Sequence, residues 1–77
     1  MNHKVAPRAE LLVSIPSSRY RIILEYSEPP KKGDIVTLDQ GFTDSGGKEM
    51  VLAYCINENG ASRYEAEVYE SEIGPDL

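Results

Sequence analysis

The fold is decided by residues 49–70, which read EMVLAYCINENGASRYEAEVYE. The first part, residues 49–57, is apolar on both faces, as a central β-strand is, whereas residues 63–70 alternate between apolar and polar side chains. Between them Asn59-Gly60 is a turn signal, because both residues tolerate positive φ. The stretch therefore predicts a β-hairpin with Tyr64 facing inward and a set of core residues consisting of Met50, Leu52, Tyr54, Ala66 and Val68.

Three shorter extended segments precede the hairpin and are separated by proline and glycine turns. Residues 11–15 place Leu11, Val13 and Ile15 on one face if they are extended, although a short helix over residues 9–15 is an alternative, because Ala, Glu and Leu favour helices. Residues 20–26 are rich in aromatic and β-branched side chains, and their alternation predicts an inner face of Tyr20, Ile22, Leu24 and Tyr26. The prediction is an all-β domain, a small five-stranded antiparallel barrel or sandwich, with strands near 11–15, 20–26, 35–39, 49–57 and 63–70.

The turn into the third strand carries a recognisable pattern. Residues 32–38, Lys-Gly-Asp-Ile-Val-Thr-Leu, resemble the strand entry of SH3-like barrels, including KOW-type modules. This resemblance implies a five-stranded SH3-like barrel over about residues 20–73, with the chain from Ser71 to Ile73 as its short closing piece. The sequence has no tryptophan and no paired aromatic run of the kind with which SH3 domains bind proline-rich peptides. The resemblance therefore implies a fold and no ligand.

The length and composition limit the organisation of the chain. The 77 residues suffice for one domain, predicted at 10–73, with flexible tails at 1–9 and 74–77. The single cysteine, Cys55, lies in the most apolar strand, and no leader or membrane-spanning stretch is visible, which together indicate a cytoplasmic protein. The net charge is -5, and the acidic residues are concentrated after residue 32.

No pattern in the sequence indicates an enzyme, a cofactor or a metal. Cys55 is predicted to be buried, and the only histidine, His3, lies in the predicted tail, so no nucleophile has a base beside it. The glycine-bearing residues 41–48 fail the spacing of a phosphate-binding loop, and Lys48 is followed by the acid Glu49. We therefore expect a non-catalytic protein.

The predicted function is that of a small interaction or accessory module with a protein partner. Tyr69 is a large apolar group on a face otherwise occupied by Glu65 and Glu67, an arrangement that suits a basic partner. Ile23 is a second apolar residue on a charged face. Binding is expected through this acidic, tyrosine-bearing face or by addition of a strand at a sheet edge, with a homodimer as one form of it. A membrane partner is not expected.

The alternative function is binding of single-stranded nucleic acid. Four basic residues flank the second predicted strand, in which Tyr20 and Tyr26 could stack on bases. An isoelectric point near 4.7 opposes this alternative, because phosphate affinity depends on positive potential. Nucleic acid is therefore not the expected partner, and the residues on which the alternative rests are Arg19, Arg21, Lys31 and Lys32.

Overall fold

A computed structural model describes residues 7–77, which form one antiparallel β-sheet of five strands. There are two single-turn 3₁₀ helices: Ser17–Arg19 directly precedes the second strand, and Glu70–Glu72 directly follows the fifth. The described residues contain no α-helix. The five-stranded antiparallel sheet confirms the predicted all-β class. The strands are β1 (Arg8–Glu10), β2 (Tyr20–Ile22), β3 (Ile35–Thr43), β4 (Glu49–Ile56) and β5 (Ser62–Tyr69). Their order in the sheet is β1-β3-β4-β5-β2.

Strands β3, β4 and β5 form a meander, so the predicted hairpin is confirmed with ends within one residue. In its turn, the side-chain Oδ1 of Asn57 accepts hydrogen bonds from the N–H groups of Asn59 and Ala61 at 2.9 and 3.0 Å. Gly60 adopts φ 83°, a conformation that glycine reaches without steric cost. Side-chain capping and glycine together reverse the chain at this point.

Strand β3 is longer than the predicted 35–39. A register shift lies between Leu38 and Gly41, after which Gly41–Thr43 pairs with Glu49–Val51. The glycine-bearing residues 41–48 therefore contain the end of β3 and only a short turn before β4. Its geometry is held by Asp44, whose Oδ1 accepts from the N–H groups of Gly46 and Lys48, both at 2.9 Å.

In β5 the predicted face is turned towards the core, whereas in β4 the opposite face is turned towards it. Tyr64 is fully buried and lies opposite Cys55, while Ala53 lies opposite Ala66. The core side of β4 therefore carries Ala53 and Cys55, and the predicted core residues Leu52 and Tyr54 are half-buried on the other side. The prediction for these two residues was wrong because an uninterrupted apolar run contains no alternation from which the inner face can be identified. Of the residues predicted in the core, Met50, Ala66 and Val68 are buried, but Met50 lies opposite Tyr69, on the side of β4 away from Ala53 and outside the main core cluster.

The first strand was predicted too late in the chain. It lies at Arg8–Glu10 and pairs with β3, so Arg8 and Ala9, assigned to the predicted tail, belong to the sheet. Residues 11–15 are neither a strand nor a helix: Leu11 forms an isolated bridge to Ile73, and the chain then bends. Leu11 and Ile15 are buried as expected, but Val13 is exposed because of this bend. Residues 1–6 of the predicted tail, with His3, lie outside the described residues.

The second strand ends earlier than the predicted 20–26. The amides of Ile23 and Leu24 both donate to the Arg63 carbonyl, at 3.0 and 3.1 Å, which is the hydrogen-bond pattern of a β-bulge. A turn follows, closed by the hydrogen bond from the Ser27 N–H to the Leu24 carbonyl at 3.1 Å. Tyr26, predicted to face inward, is 95% exposed with φ 69°. The bulge and the turn therefore end the pairing at Ile22.

The core lies on one face of the sheet, here called the core face, which carries Tyr64, Ala66 and Val68 of β5. Tyr64 is its largest fully buried side chain. Its hydroxyl donates to Oδ2 of Asp34 at 2.9 Å. Burial and this hydrogen bond raise the pKa of Tyr64 well above its ordinary value, so the hydroxyl stays protonated.

Candidate protein-interaction surface

Three of the predicted partner-binding residues share the opposite face of the sheet, here called the outer face. Glu65, Glu67 and Tyr69 alternate along β5 with the core-face residues, as predicted. Glu67 is exposed, whereas Glu65 and Tyr69 are half-buried. The structure therefore brings these three residues onto one surface, and the contacts around Tyr69 and Glu65 explain their partial burial.

Tyr69 is surrounded by groups of its own chain. The guanidinium carbon of Arg19 lies 4.7 Å from the ring centroid, and Nζ of Lys48 lies 5.3 Å from it. Both distances are within the range of cation–π attraction. The Tyr69 hydroxyl donates to Oδ2 of Asp44 at 3.3 Å. The positions around the ring that a basic partner was expected to occupy thus already hold two cations of this chain.

Arg19 forms a bidentate ion pair that ties the 3₁₀ turn before β2 to the one after β5. Its two terminal nitrogens donate to the two carboxylate oxygens of Glu72 at 2.7 and 2.8 Å, and one of them also donates to the Glu67 carbonyl at 3.1 Å. Glu72 accepts a further bond from the Tyr69 N–H at 2.8 Å. These bonds hold the pKa of the Glu72 carboxyl below its ordinary value, with the bond from Arg19 as the largest cause.

A shallow groove of about 180 Å³ lies beside Arg19, where β2 meets β5. Arg21 pairs with Glu65 across it at 2.7 Å, and the Arg21 side chain is 72% exposed. The carboxylate of Glu67 takes part in none of the ion pairs formed among residues 7–77. The groove is lined by Ser18, Arg19, Tyr20, Arg21, Leu52, Glu65, Ala66 and Glu67.

Ile23, the fourth predicted residue, lies at the other end of the sheet. It is 46% exposed, and its N–H bonds the carbonyl of Arg63, six positions before Tyr69 on β5. At about 3.4 Å per residue the separation is roughly 20 Å. The structure therefore does not bring Ile23 and Tyr69 into one site. Ile23 instead belongs to the edge of the sheet formed by β2.

The two edges of the sheet differ. Three backbone hydrogen bonds join β1 and the residues directly after it to the C-terminal segment, whose residues 74–77 were predicted as a flexible tail. The segment donates from the N–H of Gly74 to the Glu10 carbonyl at 2.9 Å and from that of Leu77 to the Arg8 carbonyl at 2.8 Å. The Leu12 N–H donates to the carbonyl of Glu72 at 2.9 Å. This edge is covered.

The edge at β2, here called the open edge, is not covered in this way. Because the Ile23 N–H points to β5, the alternation along a strand directs the N–H and carbonyl groups of Tyr20 and Ile22 away from it. Among the described residues, neither amide bonds another segment there. The apolar residues Ile22, Ile23 and Leu24 are exposed by 36%, 46% and 40%. Sequence reasoning missed Ile22 and Leu24, since strict alternation assigned both to the core.

The residues proposed for nucleic-acid binding are largely paired with acids. Arg19 and Arg21 form the ion pairs described above, and Lys31 Nζ lies 2.9 Å from Oε2 of Glu28. Tyr20 is half-buried on the core face, while Tyr26 is exposed in the turn. The described part of the chain thus offers no cluster of unpaired cations beside stacked aromatic rings.

Outside this surface, residues 7–77 hold few groups suited to catalysis or metal binding. Cys55 is buried, and its Sγ lies 3.8 Å from an Arg63 guanidinium nitrogen. Residues 7–77 contain no group of three or more His, Cys, Asp or Glu side chains placed to hold a metal ion. Within the same residues, no helix has the length and hydropathy needed to cross a membrane. No protein-family model, curated protein or solved structure matches this chain.

Proposed function

We propose that this chain is a non-catalytic protein-interaction module that accepts an extended segment of a protein partner at the open edge. The observation that carries the proposal is the contrast between the two edges: β1 is bonded to the C-terminal segment, whereas the backbone groups of Tyr20 and Ile22 point away from β5 and bond no other segment of residues 7–77. An exposed edge with unpaired N–H and carbonyl groups is a template for strand addition. The main chain then supplies affinity, and side chains supply selectivity.

The side chains at and near the open edge favour a partner segment that carries both apolar and basic residues. Ile22, Ile23 and Leu24 offer apolar contacts that a lone domain leaves in water. Further along β5, roughly 14 Å from Arg63 at about 3.4 Å per residue, the exposed Glu67 carboxylate at the groove favours a basic residue in the partner. Tyr69 contributes less directly, since Arg19 already occupies one position against its ring. The added strand is therefore expected to be apolar towards the core and basic towards the groove.

The architecture that presents this edge is proposed to be an SH3-like barrel. The isolated bridge between Leu11 and Ile73, directly after the 3₁₀ turn at Glu70–Glu72, corresponds to the closing piece that the resemblance of residues 32–38 implies. We place the protein in the cytoplasm, because its single cysteine is a buried thiol that requires no oxidising compartment.

The test is selection of short displayed peptides against the immobilised chain, followed by mapping of the bound peptide through backbone amide chemical shifts. Ile22→Pro removes the outward N–H at a position where an edge strand tolerates proline. Ile22→Ala keeps this N–H and removes only the side chain. We expect selected peptides to shift the amides of Tyr20 and Ile22, to lose at least about tenfold in affinity for Ile22→Pro and to lose less for Ile22→Ala.

Two results would contradict the proposal. The first is undiminished peptide binding to Ile22→Pro when this variant is folded. The second is a set of shifted amides confined to the outer face around Tyr69 or to β1. Either result would show that the partner does not extend the sheet at β2.

A further inference from the structure

The segment at the open edge is complementary to itself. Residues 20–26 read Tyr-Arg-Ile-Ile-Leu-Glu-Tyr, so inversion about Ile23 places tyrosine on tyrosine, arginine on glutamate and isoleucine on leucine. We propose that the partner at the open edge is a second copy of this chain, and that two copies pair antiparallel through residues 20–26 to give one ten-stranded sheet. This inference rests on the proposed function, because it names the occupant of the same edge.

The charges fit this register. Arg21 of one copy comes opposite Glu25 of the other, twice per dimer, and opposite charges directly across a strand pair attract. Arg21 already bonds Glu65 of its own chain on the outer face at 2.7 Å while 72% of its side chain is exposed. Each arginine would thus lie between two carboxylates, one from each copy. The apolar residue at the centre, Ile23, would meet its own counterpart on the same face.

The backbone groups also fit. In β2, the residues whose backbone N–H and carbonyl groups point away from β5 are Tyr20 and Ile22. In a register centred on Ile23, Ile22 comes opposite Leu24 of the second copy, and Tyr20 comes opposite Tyr26. All four positions have the same parity, so in a regular extended strand all of their N–H and carbonyl groups point to the same side. In the single chain the bulge turns the Leu24 N–H towards the Arg63 carbonyl, so Leu24 takes this direction only when the bulge is straightened. A shift by one residue would lose both the arginine–glutamate pairs and this match.

The end of the segment must straighten before it can pair. In the single chain Leu24 and Ser27 close a turn, and Tyr26 is held in the left-handed region at φ 69°. For a bulky non-glycine residue this conformation is strained, and strain of this kind persists where function uses it. The Tyr26 side chain is 95% exposed, so no packing holds it there. Extension gives up this turn hydrogen bond and the bulge bond from the Leu24 N–H to the Arg63 carbonyl, in exchange for relief of the strain and a new set of ladder bonds.

The expected dimer is weak. Seven extended residues span only about 23 Å, and a contact of this length lies below the roughly 1,200 Å² of a standard interface. We therefore expect association at concentrations of about 0.1 mM and above rather than at nanomolar concentrations. Analytical ultracentrifugation of the full chain over a wide concentration series should show the mass rising from 8.6 kDa towards twice that value.

Charge reversal tests the register directly. Glu25→Arg alone and Arg21→Glu alone each place like charges opposite one another, so each should weaken self-association by at least about tenfold. An equimolar mixture of the two variants restores an arginine–glutamate pair at both ends and should associate within about threefold of the unaltered chain. The matched control is Glu58→Arg, the same charge change in the exposed β4–β5 turn, which should leave association unchanged within about threefold.

Several outcomes would overturn the inference. These are a constant mass of 8.6 kDa at all concentrations, failure of the folded variants to associate when mixed, or equal loss of association in the Glu58→Arg control. Failure here is distinguishable from failure of the proposed function. A monomeric chain that still binds displayed peptides at Tyr20 and Ile22 refutes the second copy as partner and retains strand addition. Loss of both activities together refutes the open edge itself.

Discussion

Two arginine–glutamate pairs in this protein have the same N–O distance and different surroundings. Arg19–Glu72 and Arg21–Glu65 are both 2.7 Å long. The side chains of the first pair are 19% and 16% exposed, whereas those of the second are 72% and 25% exposed. We predict that Arg19→Ala destabilises the fold severely and that Arg21→Ala, its matched control, destabilises it only slightly.

The magnitudes follow from the contacts that each substitution removes. Arg19→Ala removes two charge-assisted bonds to Glu72, where bonds to charged groups contribute about 1.5–3 kcal/mol net. It also removes a bond to the Glu67 carbonyl and a cation–π contact with Tyr69, the latter contributing about 0.5–1 kcal/mol. Because these terms are not independent, we expect a loss of about 2–3 kcal/mol. An exposed pair such as Arg21–Glu65 contributes about 0–1 kcal/mol.

Urea unfolding followed by circular dichroism measures the difference. With a slope of about 1 kcal/mol/M, appropriate for a small domain, the midpoint should fall by about 2–3 M for Arg19→Ala and by less than about 1 M for Arg21→Ala. Equal midpoints for the two variants, or a larger loss for Arg21→Ala, would refute the reasoning. Either outcome would mean that burial does not govern the strength of these pairs.

The same ion pair predicts a pH dependence. The pKa of Glu72 is lowered in the folded state, mainly by the bond from Arg19, so the unfolded chain takes up its proton first as the pH falls. The contribution of Glu72 to stability is therefore fully present above its ordinary pKa of 4.5 and is lost as the pH falls below that value. Urea midpoints measured from pH 7 to pH 3 should decline less steeply for Arg19→Ala. An unchanged acid slope would contradict this assignment.

Three further predictions concern other parts of the molecule. Tyr26→Gly should raise the free energy of unfolding by about 1 kcal/mol, because glycine adopts φ 69° without strain, and Tyr26→Ala should give no such gain in the same urea assay. Tyr64→Phe should lower it by about 1–2 kcal/mol, because the buried ring remains while the hydroxyl bond to Asp34 is lost; an unchanged midpoint would show that this bond contributes nothing. Labelled single-stranded RNA should show no change in fluorescence anisotropy at low salt with the chain at tens of micromolar, since Arg19 and Arg21 are already paired; binding there would revive the nucleic-acid alternative.

The meander was predictable because its signals are local. Residues 63–70 alternate between apolar and polar side chains, and Tyr64 could not be exposed without turning Glu65 and Glu67 into the core. Asn59-Gly60 marked the turn by its tolerance of positive φ. Residues 65, 67 and 69 were therefore correctly placed on one face, although their contacts with Arg19 and Lys48 come from elsewhere in the chain.

The inner face of β4 was not predictable, because each side chain of its apolar run is suited to burial. Pairing decided it: with Ala66 and Tyr64 already inside, the register placed Ala53 and Cys55 beside them. The small size of these two residues leaves room for the buried Tyr64 ring. No pattern within residues 49–57 records this requirement, since it belongs to the facing strand.

By itself the sequence determined the strand-forming segments of the meander, its turns and the two faces of β5, because alternation and turn chemistry act over a few neighbouring residues. Only the tertiary structure decided which edge stays open. The early end of β2 depends on a bulge opposite Arg63, and the covering of β1 depends on a segment more than 60 positions away along the chain. Contacts between such distant residues depend on how the whole sheet folds, and within residues 7–77 they leave the outward backbone groups of Tyr20 and Ile22 without a partner.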